Sequence, residues 1–208
     1  MKMPFTNEQF FQLFERYNLA VFPVQILLIL FALIPVSLIL SNSRLKNKFI
    51  GGYLGLLWIW TGFVYHIGFF AEINKAAYLF GTIFILQGIL IFVSTFIRER
   101  LIFAFNYKAI DYLAYFFILF GLFIYPLIGY FTGSVLVKTI ALGLPCPSTI
   151  FTFGFLMLTN RQFPKYLLII PTIWAVVGLS AAINFGVYQD YMMILTAIIA
   201  DIYIIVRK

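Results

Sequence analysis

Residues 77–98 read AYLFGTIFILQGILIFVSTFIR, a stretch in which the last residue, Arg98, is the only charged one. About 20 consecutive apolar residues are enough for a helix to cross the roughly 30 Å of hydrocarbon in a bilayer. A helix is also the structure that such a segment needs, because it satisfies every backbone N–H and C=O group within the segment itself. The stretch therefore predicts a transmembrane helix.

Six more apolar runs lie on either side of this stretch. They cover approximately residues 20–41, 49–70, 109–131, 135–158, 165–186 and 188–206. The gaps between the runs are short, so consecutive helices should pack as neighbours. The sequence therefore predicts an all-α integral membrane protein in which seven transmembrane helices form one domain, residues 20–208.

The composition excludes an ordinary water-soluble domain. Apolar residues make up 63% of the 208 positions and charged residues 10%, whereas a soluble domain averages roughly 45–50% and about 25%. The single cysteine, Cys146, excludes an internal disulfide and any cysteine-rich zinc module. The net charge of +7 comes from basic residues scattered singly at the ends of the runs, so membrane topology explains it better than nucleic-acid binding.

Basic residues occupy alternate gaps between the runs. Ten of the fourteen Lys and Arg residues fall in the gaps after the first, third and fifth runs and at the C-terminus. The other four are Lys2, Arg16, Lys75 and Lys138. Because cytoplasmic loops carry the excess of positive charge in membrane proteins, this pattern predicts an outside N-terminus and a cytoplasmic C-terminus.

Residues 1–19 form a separate segment. Thr6 followed by Gln9 has the spacing of a helix capping box, and four aromatic residues, Phe10, Phe11, Phe14 and Tyr17, share one helical face. This pattern predicts a short amphipathic helix that lies on the outer membrane surface. The alternative is that residues 5–18 simply continue the first transmembrane helix.

Two segments suggest an internal repeat. Residues 68–74 read GFFAEIN and residues 178–184 read GLSAAIN, and they close the second and the sixth runs. The same offset relates the first run to the fifth and the third run to the seventh, which would give a 3+1+3 arrangement of parallel repeats, as some small transporters have. The alternative is chance similarity in a chain rich in Gly, Ala and Ile.

The fifth run contains a proline pair. Residues 143–149 read GLPCPST, so Pro145 and Pro147 stand two positions apart. Each proline lacks an N–H donor and crowds the carbonyl group four residues before it. We therefore expect the fifth helix to kink or open near the middle of the membrane, where transporters with broken helices often bind their substrates.

Three polar side chains accompany these prolines. The Cys146 thiol and the hydroxyl groups of Ser148 and Thr149 could line a site together with the freed carbonyl groups. A thiolate also suits Cu(I) and related soft ions, although a single thiol does not make a metal site. The alternative is a kink whose polar groups are satisfied by neighbouring helices.

Three other residues within the runs are candidates because polar groups inside a membrane are costly. Tyr65 and His66 lie in the second run, and His66 is the chain's only histidine, which can carry protons near neutral pH. Asp201 lies near the inner end of the seventh run, where its carboxyl group could join a pathway or simply reach the interface. Asp111 and Asp190 begin the fourth and seventh runs, where a carboxylate favours a helix N-terminus, so we expect no other role for them.

Several motifs resemble a known family. These are residues 4–11, PFTNEQFF; residues 17–20, YNLA, followed by Pro23 and Gln25; the pair Tyr65–His66, followed by FF and IN; and residues 145–154, PCPSTIFTFG. They are similar to motifs of a bacterial family of multi-span proteins of unknown function, and the resemblance covers most of the chain. It implies a multi-pass protein of the bacterial inner membrane, with no assigned activity and therefore no functional residues to carry over.

Three functions are consistent with these observations. A small-molecule or ion transporter or channel should have a polar cavity that reaches the middle of the membrane and has residues 145–149 on its wall. A membrane-embedded enzyme or redox protein that acts on a lipidic substrate should place His66 within hydrogen-bond reach of Cys146, Ser148 or a carboxyl group. A structural or sensory partner should have neither. The first is our leading hypothesis, with membrane lipids as partners and no nucleic acid, cofactor or metal. A homo-oligomer is left open.

Overall fold

A computed structural model of the chain describes residues 4–132 and 138–207. These residues form eight helices, which confirms the predicted all-α class. The helices are α1 Asn7–Val21, α2 Val24–Leu38, α3 Lys46–Glu72, α4 Ala77–Ile97, α5 Ala109–Phe131, α6 Pro145–Met157, α7 Lys165–Phe185 and α8 Asp190–Val206. Helices α3, α4 and α5 each contain a π-helical turn, and α7 begins with a 3₁₀ turn.

Four helices of the described ranges are long and apolar enough to cross a membrane, namely α3, α4, α5 and α7. The number rises to five if α1 and α2 together count as one broken span. Helices α6 and α8 are shorter, with 13 and 17 residues, which correspond to roughly 20 and 25 Å at 1.5 Å per residue. The structure is therefore compatible with a membrane protein, and the seven crossings remain a prediction.

The first predicted span, residues 20–41, differs from the observed helices. Helix α1 continues to Val21, α2 begins at Val24, and the two helix axes meet at 81°. Pro23 lies in this break. A proline disfavours helical geometry in the residue before it and has no N–H group to continue the helix, so the break lies at residues 22–23 and not before residue 20.

The fifth predicted span, residues 135–158, also needs correction. Its first residues, 135–137, lie outside the described part of the chain, and Lys138–Leu144 contains no α-helix. Helix α6 begins at Pro145 instead of being kinked there. The first turn of a helix needs no N–H donors from its own residues, so Pro145 and Pro147 fit at its first and third positions. The proline pair therefore starts this helix, and the prediction of a helix through 138–144 was wrong.

The irregular segment before α6 is enclosed by the protein. The Gly143 carbonyl oxygen accepts hydrogen bonds from the hydroxyl groups of Tyr17, at 3.1 Å, and Thr61, at 3.3 Å. The Gly143 N–H group donates to Oγ of Ser148 at 3.1 Å. Gly143 has φ +98°, a conformation that residues with a Cβ atom rarely adopt. Non-helical backbone at membrane depth is tolerated where it is buried in protein in this way.

Helix α1 packs on the protein with its aromatic face. The capping box of Thr6 and Gln9 is present, and Phe10, Phe14 and Tyr17 are buried. Two ion pairs hold the polar side of this helix, Arg16–Glu72 at 2.8 Å and Lys138–Glu15 at 3.3 Å. The aromatic residues predicted to contact the membrane surface therefore contact other helices. The predicted location of residues 1–19 at the outer membrane surface remains a prediction, and residues 1–3 lie outside the described ranges.

The gaps predicted to face the cytoplasm meet at one end of the helix bundle. Asn47 accepts a hydrogen bond from the Phe103 N–H group at 2.9 Å. The Arg207 guanidinium donates to the carbonyl oxygens of Thr159, at 2.6 Å, and Asn160, at 3.0 Å. The Asn160 N–H group donates to the Ile102 carbonyl oxygen at 2.9 Å. Together these contacts join the gaps after the first, third and fifth predicted spans to the C-terminus. We call this the basic end, because those gaps carry most of the Lys and Arg residues.

The other gaps meet at the opposite end. The rings of Phe5, before α1, and Phe185, at the end of α7, stack at 5.4 Å. Phe5 also contacts Phe70, at the end of α3, at 5.6 Å. The segment before α1 and the ends of α3 and α7 thus lie together at this end of the bundle.

The two segments of the suggested repeat have different backbone conformations. Residues 178–184 lie within the continuous helix α7. Residues 68–74 contain the end of a π-helical turn and the 3₁₀ turn Phe70–Glu72. Because equivalent repeat positions should share local structure, this difference gives the 3+1+3 arrangement no support.

Candidate functional site

A cavity of about 220 Å³ lies at the end of the bundle opposite the basic end, between α1, α3, α4, α6, α7 and α8. Its wall is mostly aromatic. The aromatic residues that line it are Phe5, Phe10, Phe14, Tyr65, Phe70, Phe80, Trp174 and Phe185. Its polar lining comes from Asn74, Cys146, Ser180 and Asp190. The cavity is therefore mostly apolar, with a few polar groups that could orient a ligand.

A buried carboxyl group forms the polar floor of this cavity. Asp190 is the first residue of α8 and is 1% exposed. Its Oδ1 atom accepts a hydrogen bond of 2.5 Å from the hydroxyl group of Tyr125, a fully buried residue of α5. The Cys146 thiol lies close to both groups. Three helices, α5, α6 and α8, thus contribute to one buried polar cluster. The Trp174 indole N–H group on the cavity wall has no hydrogen-bond partner among the described residues.

The start of α6 explains why Cys146 lies at this cluster. Pro145 and Cys146 are the first two residues of α6, and both line the cavity. A helix N-terminus carries partial positive charge, which favours a nearby carboxyl group such as that of Asp190. The break in the fifth predicted span therefore places a helix N-terminus, a thiol and an acid at the same depth in the bundle.

Helix α1 covers the cavity with aromatic rings. Phe10 stacks on Phe185 of α7 at 4.5 Å, and Phe14 stacks on Tyr65 of α3 at 6.1 Å. These contacts add to the ion pairs on the polar side of α1. A ligand that enters the cavity at this end of the bundle would therefore have to pass or displace α1.

The structure brings together three of the residues selected from the sequence. Tyr65, Pro145 and Cys146 all line the cavity. The Tyr65 ring also packs edge-on against Tyr17 at 5.6 Å, which links the cavity wall to α1. Tyr65 belongs to the second predicted span, and Pro145 and Cys146 belong to the fifth, so the fold supplies the proximity of Tyr65 to the other two.

His66 lies behind the cavity wall. Its ring contacts Phe84 at 4.6 Å and Trp174 at 4.9 Å, and it is 0% exposed. Neither imidazole nitrogen has a hydrogen-bond partner among the described residues. The geometry expected of an enzyme, with His66 paired to Cys146, Ser148 or a carboxyl group, is thus not present in the described ranges.

The remaining residues around the proline pair make contacts with backbone groups. The Pro147 carbonyl oxygen lies against Gly121 of α5, where an added Cβ atom would meet it at 2.6 Å. Ser148 accepts from Gly143, and the Thr149 hydroxyl donates to the Pro145 carbonyl oxygen at 2.8 Å. The two hydroxyl groups thus stabilise the start of α6.

Asp201 lies far along α8 from Asp190. Its Oδ2 atom accepts a hydrogen bond of 2.7 Å from the hydroxyl group of Thr172 on α7. It lines a separate groove that also contains Lys165 and Ile173. The fold therefore does not bring this carboxyl group to the cavity, and it links α7 to α8 instead.

Sequence reasoning missed three residues of the site. Asp190 was assigned to its helix N-terminus, and this local explanation concealed its contact with another helix. Tyr125 is one of 13 tyrosines, and nothing in its neighbourhood distinguishes it. Trp174 lies inside an apolar run, where an indole N–H group that needs a partner was the available signal.

The metal-ligating residues are sparse within the described ranges. No group of three or more His, Cys, Asp or Glu side chains in 4–132 and 138–207 is arranged to hold a metal ion. Cys146 and Asp190 supply one thiol and one carboxyl group.

Comparison with known protein families gives a match over nearly the whole chain. The family model described as "Family of unknown function (DUF6064)" matches residues 7–208. No curated protein and no solved structure matches the chain. The match confirms the predicted membership in a family of unknown function and assigns no role to any residue.

Proposed function

We propose that the chain, which belongs to this family of unknown function, is a multi-pass membrane transporter that binds a small molecule in the aromatic cavity. The observation that carries the proposal is the meeting of a buried carboxyl group, a thiol and the start of α6 at the floor of a cavity. Discontinuous helices of this kind form the substrate sites of many transporters.

The proposed topology has seven crossings and an outside N-terminus. The fifth crossing consists of residues 138–144 and the short helix α6, and the seventh is α8. The basic end would face the cytoplasm, because positive charge is retained on that side. The cavity would then open toward the outside, in the inner membrane of a bacterium. Lys2 and Lys208, which entered the charge count, lie outside the described residues.

Helix α1 is the element that would admit the ligand. Its Phe10 and Phe14 rings cover the cavity, and the ion pairs at Arg16 and Glu15 are partly exposed to solvent. Exposed ion pairs contribute only about 0–1 kcal/mol each. Displacement of α1 would therefore cost its aromatic packing, which a bound ligand could replace, and the hydrogen bonds of Tyr17 with Gly143 and Trp60.

The enzyme alternative has less support. The described residues that line the cavity beside Cys146 include no His or Lys, the bases that commonly activate a thiol. His66, the base that the sequence offered, is separated from the cavity by Trp174 and Phe80. The arrangement suits binding better than covalent chemistry.

A stability screen tests the proposal. Purified protein in lipid nanodiscs would be melted in the presence of small molecules of differing charge and shape, with tryptophan fluorescence as the readout. Compounds that raise the melting temperature would then be tested for uptake into proteoliposomes. We expect at least one compound to stabilise the protein and to be transported.

A matched pair of variants localises the effect. Ser180→Phe places a ring in the cavity, whereas Ser37→Phe places the same ring on the exposed side of α2. In both positions the serine hydroxyl group donates only to a carbonyl oxygen of its own helix. The acceptor is Val177 for Ser180 and Leu33 for Ser37. Stabilisation should be lost in the first variant and kept in the second. Equal responses of the two variants, or no stabilising compound, would contradict the proposal.

A further inference from the structure

We infer that the ligand of this cavity is a small organic cation, an amine or quaternary ammonium group attached to an apolar body. This inference rests on the proposed function and specifies its substrate class. It depends on three properties of the cavity, namely its acid, its aromatic wall and its size.

The acid is not neutralised by a neighbouring cation. Asp190 is buried, and it forms none of the ion pairs observed within 4–132 and 138–207. Its partners are the neutral donors Tyr125 and Cys146. None of the described residues that line the cavity is Lys, Arg or His. A buried carboxyl group without a cation is costly, and a positively charged ligand would supply the missing partner.

The aromatic wall favours the same charge. The electron-rich faces of aromatic rings attract ammonium groups within about 6 Å, and Trp and Tyr rings do so most strongly. Tyr65 and Trp174 lie on the wall beside Asp190, together with Phe70 and Phe80. These aromatic side chains would contact one side of a bound ammonium group, and the Asp190 carboxyl group would contact the other side.

The size and the polarity of the cavity disfavour the other classes of ligand. A volume of about 220 Å³ is below the roughly 300–1,000 Å³ of typical drug-sized pockets, so the ligand has about one ring or one short chain. An anionic ligand would be repelled by the Asp190 carboxylate. Hard cations such as Mg²⁺ and Ca²⁺ require several oxygen ligands, and this wall offers one carboxyl group.

A charge series tests the inference on the unmodified protein. Benzyltrimethylammonium, its neutral carbon analogue neopentylbenzene and the anion phenylacetate have similar size and one ring each. Binding would be measured as protection of Cys146 from N-ethylmaleimide in nanodiscs. We expect benzyltrimethylammonium to protect Cys146 at a concentration at least about tenfold lower than neopentylbenzene, a factor that corresponds to about 1.4 kcal/mol. Phenylacetate should protect least.

Two carboxyl variants on the same helix complete the test. Asp190→Asn keeps an oxygen acceptor for Tyr125 and removes the charge, so the preference for the cation should disappear. Asp201→Asn, which changes the carboxyl group outside the cavity, should keep the preference. If Asp190→Asn does not fold, the series on the unmodified protein remains decisive.

The outcomes separate this inference from the proposed function. Equal or better protection by neopentylbenzene or phenylacetate would overturn the cation as the substrate class and would leave a small-molecule site in place. Stabilising compounds that are sensitive to Ser180→Phe but carry no positive charge would do the same. Failure of every compound to bind would overturn both proposals.

Discussion

The hydroxyl group of Tyr125 on α5 donates a hydrogen bond of 2.5 Å to Oδ1 of Asp190 at the start of α8. Both residues are buried, and 65 positions separate them in the chain. This bond fixes the acid at the floor of the cavity and links two helices that the sequence alone does not pair. The proposed site depends on this relationship.

Replacement of Tyr125 by Phe should destabilise the protein. Loss of the Tyr125 hydroxyl group leaves a buried acceptor without its donor, which costs about 1–3 kcal/mol. The melting temperature in nanodiscs should fall, whereas Tyr130→Phe, at an exposed position of the same helix, should leave it unchanged. Equal melting temperatures for the two variants would show that the bond does not stabilise α5 against α8.

Replacement of Gly143 by Ala should cost more than replacement of Gly186. Both glycines have positive φ, +98° and +68°, and an added Cβ atom would meet Leu28 at 2.8 Å only at Gly143. Left-handed backbone costs a residue with a Cβ atom about 1–2 kcal/mol, so Gly186→Ala measures the backbone effect alone. Thermal melting of the two variants provides the comparison. A smaller loss at Gly143 would contradict its role in holding the segment before α6.

Removal of an ion pair from α1 should expose the cavity without much loss of stability. In the Arg16→Ala variant the pair with Glu72 is lost, which should cost less than about 1 kcal/mol, and N-ethylmaleimide should label Cys146 faster. Lys48→Ala removes a comparable exposed pair with Glu99 at the basic end and serves as the control. Identical labelling rates in the two variants would argue against α1 as the cover of the cavity.

Replacement of His66 by Leu should be tolerated. Neither imidazole nitrogen has a hydrogen-bond partner among the described residues, and aromatic rings surround the side chain. An apolar residue of similar size avoids the cost of an unpaired buried polar group. The melting temperature should remain equal or rise, and the binding of any stabilising compound should be kept. A loss of binding with normal stability would instead support the original prediction that His66 belongs to the transport pathway.

The sequence predicted best those helices whose apolar runs are uninterrupted. The predicted spans 77–98 and 109–131 nearly coincide with Ala77–Ile97 and Ala109–Phe131. The sequence separated the N-terminal segment from the first span, but the break lies at Phe22–Pro23 and not before residue 20. Hydropathy did not separate residues 138–144 from α6, because an apolar segment enclosed by protein has the same composition whether it is helical or irregular, and only the position of Pro145 indicated that break.

The site was predicted where a polar residue stands out from its own segment. Cys146 and Tyr65 met that condition, and the structure places both on the cavity wall. Asp190 and Tyr125 did not, because their significance comes from a contact between distant helices. Asp201 stood out in the same way as Cys146, yet its partner is Thr172 in another groove. A polar residue in an apolar run thus indicates a contact without specifying its location.

The most direct measurement is the side from which Cys146 can be labelled. It is the chain's only cysteine and lies on the cavity wall, so a membrane-impermeant, positively charged methanethiosulfonate reports on access to the site. We predict labelling in right-side-out vesicles, with Ser180→Phe blocking the reaction and Ser37→Phe leaving it unchanged. Labelling only in inverted vesicles, or no labelling from either side, would contradict a cavity that receives its ligand from outside.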